Sequence, residues 1–315
     1  MKRILFSMMF TVLFLAVPVA FGKTGSQIRV VATTRVLSSL ISDIAGDLID
    51  IYTIAPPKRD VHFVQPTPKD VLMTKKADVF IMTGGELEIW AGPLLDAAGN
   101  LALKENKKRV FDVSRGIEFL EIPTVLTRAE GDIHAFGNPH YWTDPRNVRI
   151  MIDNMAEQFG ELYPEHAQMF RQNAGKLKTR LDEKMKLWEK RLMPWRGAGI
   201  VTYHKSWSYF AEWFGFNVIA EIEPKPGIPP GSKYLGELMK QIKENNVRVI
   251  IREPFQDRSA PSRIAQETGG EVLTLGQFPG AVSEAADYIG MMDHNVEMLA
   301  KAFETLGQQN NKRMK

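Results

Sequence analysis

The 315-residue sequence predicts an α/β protein of two lobes, each a mainly parallel sheet flanked by helices, joined by one long rigid backbone helix. Three observations carry that expectation. Short β-branched runs alternate with amphipathic helical patterns, the alternation runs through two rounds, and an unbroken helical segment separates the rounds. Such alternation sets strands parallel and lays helices over both sheet faces.

In the first round, IRVVATT (28–34) leads into RVLSSLISDIAGD (35–47), which is apolar at helical spacing and closed by a glycine. Strands follow at 49–55, 77–85 and 108–114, with a helix from about Glu88 to Ala98. In the second round, strand patterns fall at 197–204, 217–222, 247–254 and 271–276. Helices fill the intervals at 205–214, 232–245 and 258–268, and a last one runs from about Glu284 to Thr305. Between the rounds, 146–163 reads as one helix stopped at Tyr163-Pro164. Residues 165–192 then run without proline for about 42 Å at 1.5 Å per residue, long enough to cross a two-lobed molecule. Met169, Phe170, Leu177, Leu181, Met185 and Trp188 form one stripe rather than sustained heptads, so packing along two lobes is expected. The expected division is 23–163 for the N-terminal lobe, 164–194 for the linking helix and 195–315 for the C-terminal lobe.

Residues 1–22 have the pattern of a cleavable secretory signal. Lys2 and Arg3 precede the apolar run Ile4–Val19, and small residues Ala20 and Gly22 precede Lys23. The run is short for a membrane span and Pro18 interrupts its end. Cleavage near Gly22 and a periplasmic location are expected. The sequence contains no cysteine, so stability must come from a packed core, and a lipid-modified cysteine anchor is excluded. Charge is nearly balanced, with 40 basic and 37 acidic residues, two of the bases lying in the leader. That balance argues against a nucleic-acid binder.

Chemistry concentrates in the six histidines. His166 and His294 fall on helices among charged neighbours and read as surface residues. His62 follows a strand in PPKRDVHFVQPTPKD, His140 sits in the turn GNPHYWTDP, and His204 ends the strand GIVTYH. In parallel sheets a site lies outside the carboxyl ends of the strands. Three imidazoles delivered there from separate segments suit a transition metal, zinc first.

The stretches VVATTRVLSSLISDIAGD, DVHFVQPTPKD, ADVFIMTGGELEIWAGPLLDAAGN, NPHYWTDP, YHKSWSYFAEWFGF, GSKYLGELMKQIKENNVRVIIREPFQ and YIGMMDHNVEMLAKAF are spread across essentially the whole chain after the leader. In their order they resemble the periplasmic solute-binding proteins of zinc and manganese ABC importers (the cluster A-I, TroA-like family). The resemblance implies two α/β lobes on a rigid helix, a metal in the cleft, a monomer, and delivery to a membrane ABC permease. It implies metal ligation by His62, His140 and His204, with no catalytic role. Zn²⁺ is the expected cargo and Mn²⁺ the alternative, since manganese favours harder oxygen ligands.

The sequence departs from the family at the fourth ligand. Where relatives often carry an aspartate, the loop reads LGQFPGAVSEAADY. Glu253 is assigned to the site, with Asp287, His134 or water as alternatives. Asp60 and Asp144 suit partners that fix the ring tautomers, although Asp144 before Pro145 also suits a helix cap. The segment TRAEGDIHAFG (127–137) carries His134 between acids, and reads either as a weak metal-collecting loop or as an ordinary solvated one. Two other classes bear on the same residues. A zinc hydrolase would need a general base, for which Glu253 is the candidate. A chelate-binding receptor would line its cleft with aromatics such as Trp142, Tyr203, Trp207 and Tyr209, which here read as shields of a metal.

Overall fold

The computed structural model describes residues 27–124, 134–282 and 285–313, with side chains as far as residue 307. The leader, the acids Glu130 and Asp132 of the expected collecting loop, and Glu284 lie outside the described residues.

Among the described residues, two four-stranded parallel sheets are present, built by the same rule. The first contains β1 (Ile28–Ala32), β2 (Ile49–Thr53), β3 (Val79–Met82) and β4 (Val110–Asp112), in the order β2-β1-β3-β4. The second contains β5 (Gly199–Thr202), β6 (Asn217–Glu221), β7 (Val249–Arg252) and β8 (Glu271–Thr274), in the order β6-β5-β7-β8. All pairings are parallel, with Val31 opposite both Tyr52 and Phe80, and Val201 opposite both Ala220 and Ile250. Each order reverses at its first strand, and loops leaving the strands beside such a reversal open a crevice. The buried runs Val79–Ile81 and Val249–Ile251 explain why these strands lack polar alternation: helices cover both of their faces.

The helices are α1 (Arg35–Ala45), α2 (Pro68–Lys76), α3 (Ala91–Ala98), α4 (Leu101–Glu105), α5 (Pro145–Leu162), α6 (Ala167–Leu192), α7 (Ser208–Phe214), α8 (Ser232–Glu244), α9 (Ser259–Thr268) and α10 (Tyr288–Arg313). Several ends differ from the periodicity. Pro164 opens a 3-10 turn through His166, so the long helix begins at Ala167. A 3-10 turn at Lys205–Trp207 likewise precedes α7. The last helix begins at Tyr288 rather than near residue 284, where the Asp287 carboxylate accepts the Gly290 N–H at 2.7 Å. Among the described residues no helix is long and apolar enough to cross a membrane.

The 26 residues of α6 span about 39 Å and serve as the spine. Phe170, Ala174, Leu177, Leu181, Trp188 and Leu192 form its buried stripe, with Met169 and Met185 packed at the margin. Its first half holds the first lobe, where Asn173 donates to the Ile44 carbonyl at 3.0 Å. Its second half holds the other lobe, where Trp188 Nε1 donates to Asp293 of α10 at 2.7 Å and Glu189 accepts from Trp213 of α7. One continuous apolar cluster includes Val30 and Phe80 of the first sheet together with Ile200 and Val249 of the second. A smaller cluster around Leu238 and Ile264 packs the outer face of the second sheet.

Candidate metal centre

His62 stands in the loop between β2 and α2. The Asp60 carboxylate accepts the His62 backbone N–H at 3.0 Å, folding the loop back on itself. Trp90 Nε1 holds the Val61 carbonyl at 2.8 Å from the other side. Downstream, Thr67 and Asp70 form a reciprocal capping box on α2.

The turn carrying His140 is built from a glycine and an asparagine. Gly137 has φ +113, and a Cβ there would lie 2.6 Å from the Leu120 carbonyl oxygen. Glycine alone permits that approach, which lets the Asn138 N–H reach the same carbonyl at 2.8 Å. Asn138 Oδ1 then accepts the His140 backbone N–H at 3.0 Å and lies 2.9 Å from His140 Nδ1. Bonding there assigns the proton to Nδ1 and leaves Nε2 free to face the cleft. The same asparagine donates to the Lys205 carbonyl at 2.7 Å, tying the turn to the opposite lobe. The ring partner is therefore Asn138 rather than Asp144. Asp144 instead caps α5, accepting the Arg146 N–H at 2.7 Å and pairing with the Arg146 guanidinium.

His204 leaves the carboxyl end of β5. Its Nδ1 meets the Glu223 carboxylate at 2.9 Å, just beyond the end of β6. Neither Asn138 nor Glu223 stands out from composition, but one signal was present. The pairs Asp60/His62 and Asn138/His140 share an Asx residue two positions before a histidine, the spacing at which such a side chain bonds the backbone two residues on.

These loops bring three rings together. One nitrogen from each of His62, His140 and His204 lies within 4.8 Å of the others. The Nε2 atoms of His62 and His140 face each other at 3.1 Å, one donating and one accepting. Four ligands at about 2.0–2.1 Å in a tetrahedron would be about 3.3–3.4 Å apart, close to the spacing of the His62 and His140 nitrogens. Ring centroids are 5.0 Å apart for His62 and His140, 5.7 Å for His62 and His204, and 5.2 Å for His140 and His204. His134 stacks on His62 with centroids 5.0 Å apart, over the cluster rather than within the set.

Glu253 does not join the three. It follows β7, is fully buried, and its Oε1 accepts Trp207 Nε1 at 2.9 Å and Gln277 Nε2. Burial pushes the Glu253 carboxyl above its ordinary value, against the lowering influence of its hydrogen bonds and the His204 charge. Asp287 is engaged as the α10 cap. Of the aromatics, Trp142 is buried 5.4 Å from His140 and walls the site from water there, while the buried Trp207 bonds Glu253.

The electrostatics favour uncharged rings at His62 and His140 and the opposite at His204. Burial first, and then the neighbouring imidazoles, hold His62 and His140 well below the ordinary histidine value. Burial also works against a charged His204. The Glu223 hydrogen bond, with the charges of Glu253, Glu223 and Asp60, outweighs it and holds that ring above the ordinary value. Two neutral imidazoles and a third polarised by a carboxylate make a donor set for a borderline cation.

Two parallel-sheet lobes on one spine helix, with imidazoles meeting between them, define a two-lobed binding protein with a histidine cleft. The chain belongs to the family described as zinc-uptake complex component A, periplasmic, whose model matches residues 30–302. It is similar to the iron-binding protein YfeA of Yersinia pestis, at 27% identity over 89% of this chain and 88% of that protein. It is also similar to the manganese ABC transporter substrate-binding lipoprotein PsaA of Streptococcus mitis, at 27% identity over 92% of this chain and 96% of the relative. A crystal structure of ZnuA shares the fold with a TM-score of 0.76, at 23% identity over 88% of this chain and 99% of that one.

Proposed function

We propose that this protein captures Zn²⁺ through His62, His140 and His204 and delivers it to the membrane permease of an ABC importer. The convergence of three imidazole nitrogens from three separate loops within 4.8 Å carries this reading. Relatives are named for iron, manganese and zinc, so the choice of metal rests on donor chemistry. An all-imidazole set suits zinc, whereas manganese favours carboxylate and carbonyl oxygen. Glu253 supports the assembly as a buried strut between Trp207 and Gln277 rather than as a fourth ligand. Its place outside the group of three imidazoles favours a receptor over a zinc hydrolase, whose base would stand beside metal-bound water. The reading places the mature chain in the periplasm as a monomer, after cleavage near Gly22, with lobes 23–163 and 195–315 and the link 164–194.

Elemental analysis of protein isolated from the periplasm, followed by competition between zinc and manganese, tests the assignment. One zinc per chain, undisplaced by equimolar manganese, is expected. Manganese retained in preference to zinc would overturn the choice of metal.

A further inference from the structure

His140 and His204 are followed by the same local structure. Each ring is succeeded by a 3-10 turn, Tyr141–Thr143 after one and Lys205–Trp207 after the other. Each turn carries a fully buried tryptophan, Trp142 and Trp207. A buried indole N–H needs an acceptor, and here both acceptors lie side by side in the second lobe. Trp207 Nε1 donates to Glu253 Oε1 at 2.9 Å, and Trp142 Nε1 donates to the Gln277 carbonyl at 2.9 Å. The Gln277 side chain then donates through Nε2 to the same Glu253 oxygen. Glu253 and Gln277 thus join the two tryptophans into one buried knot.

The knot is itself held from several sides. The Glu253 backbone N–H donates to Gln256 Oε1 at 2.9 Å. Phe278, next to Gln277, stacks on Trp142 with ring centroids 5.3 Å apart, and the Tyr288 hydroxyl donates to the Trp142 carbonyl at 2.8 Å. The two turns also meet directly. The Thr143 hydroxyl lies 3.0 Å from the His140 carbonyl and 3.4 Å from the Ser206 carbonyl.

Its position gives the knot a purpose. His62 and His140 come from the first lobe and His204 from the second, so the width of the histidine cage depends on how the His140 and His204 turns sit together. Asn138 bonds the Lys205 carbonyl at 2.7 Å and Tyr209 bonds the Asn138 carbonyl at 2.7 Å, which ties the turns at the end where the histidines stand. Ties at one end alone would let the turns pivot. The knot binds them again beyond the histidines, through Trp142 and Trp207, and removes that freedom. The His140 and Trp142 rings are 5.4 Å apart, so a shift of the indole reaches the imidazole directly. Spacing in turn selects the ion. Zinc takes imidazole nitrogen at about 2.0–2.1 Å, and a cage held to that spacing disfavours larger ions by geometry rather than by donor type.

We propose that Glu253 and Gln277 are a positioning pair that fixes the distance between His140 and His204 and thereby sets the site's preference for small divalent cations over larger ones. The proposal rests on metal ligation by His140 and His204. The pair acts through hydrogen bonds rather than through charge, since one oxygen of Glu253 accepts both donors. An amide at this position keeps that oxygen and the same length. Its N–H₂ group can donate to the Ser206 hydroxyl, which already acts on the carboxyl.

Competition titrations with Zn²⁺ and Cd²⁺ on the whole protein are the test, because cadmium is the larger ion and shares zinc's use of nitrogen donors. The visible spectrum of bound Co²⁺ reads the ligand geometry beside them. Gln277→Met keeps the side-chain length and loses the donor, and Glu253→Ala loses the acceptor. Both should shift the zinc-to-cadmium affinity ratio toward cadmium by at least about tenfold and change the Co²⁺ spectrum. Glu253→Gln should keep the parent's ratio and spectrum. Lost packing alone would lower the unfolding midpoint and leave ratio and spectrum as they were. That result in Gln277→Met would overturn the proposal, whether or not Glu253→Ala folds. Loss of the parent's ratio in Glu253→Gln would overturn it too, by making charge the cause. Failure of the underlying metal reading shows differently: cobalt would then bind equally well when His140 or His204 is replaced by alanine.

Discussion

His62, His140 and His204 owe their orientation to three partners of different kinds: a backbone-bonding aspartate, an asparagine and a glutamate. Outer partners of this type typically contribute ten- to a hundredfold in metal affinity. Asn138→Ala and Glu223→Gln should therefore each weaken zinc binding by about ten- to a hundredfold, read by competition with a chromophoric chelator, and unchanged affinity in both would contradict the orienting role. The pH dependence follows from the shifts at the same three rings. A ligating imidazole must be neutral, so zinc competes with protons. His62 and His140, held below the ordinary value by burial, stay neutral as pH falls past about 6.5. Because their folded values are depressed, the stability of the metal-free protein is full above about pH 6.5 and is lost as pH falls toward the folded values. His204, held above the ordinary value, takes a proton first. Affinity should be full above the raised His204 value and fall through it, so competition titrations at about pH 7.5 and 5.5 should differ severalfold or more. The histidines were legible in the sequence because each ends a strand or punctuates a turn. Glu223 was not, because only parallel pairing of β5 with β6 brings a residue 19 positions away against His204.

At the scale of elements, the turn before α5 shows how local chemistry sets both a helix and a ligand. Asp144 and Pro145 start the helix by the ordinary rules, the carboxylate capping and the proline taking the first position. Asp144→Ala should cost about 1 kcal/mol, within a range of about 0.5–2, in urea unfolding while leaving zinc affinity as it was. A large loss of affinity would return Asp144 to the role of ring partner. Gly137→Ala should differ by lowering zinc affinity and stability together, because φ is positive there and the Leu120 carbonyl leaves no room for a methyl group. Strand and helix identities were readable from period and punctuation, whereas their ends were not. Short 3-10 turns at Pro164–His166 and Lys205–Trp207 belong to the same apolar patterns as the helices they precede, so periodicity alone merges the two.

Across the whole molecule, the repeated β-α alternation and the unbroken spine made the two-lobed plan visible before any contact was known. What the pattern could not show is how firmly the lobes join. Trp142 Nε1 donates to the Gln277 carbonyl at 2.9 Å, Tyr288 returns a bond to the Trp142 carbonyl at 2.8 Å, and Tyr209 bonds the Asn138 carbonyl at 2.7 Å. These are pairs more than 70 residues apart, set by side-chain reach rather than by any periodic signal. With one apolar cluster running through both lobes, metal should adjust loops rather than swing a hinge. X-ray scattering of metal-free and zinc-loaded protein should superimpose apart from small changes, and a large contraction would refute the stiff spine. The central claim, a metal held jointly by three imidazoles from three loops, is tested most directly by zinc competition titration of His62→Ala, His140→Ala and His204→Ala beside the parent protein. Each variant should keep the parent's circular dichroism and lose at least about a hundredfold in affinity, more than the loss of an outer partner would cause. One zinc per chain at parental affinity in all three variants would contradict it.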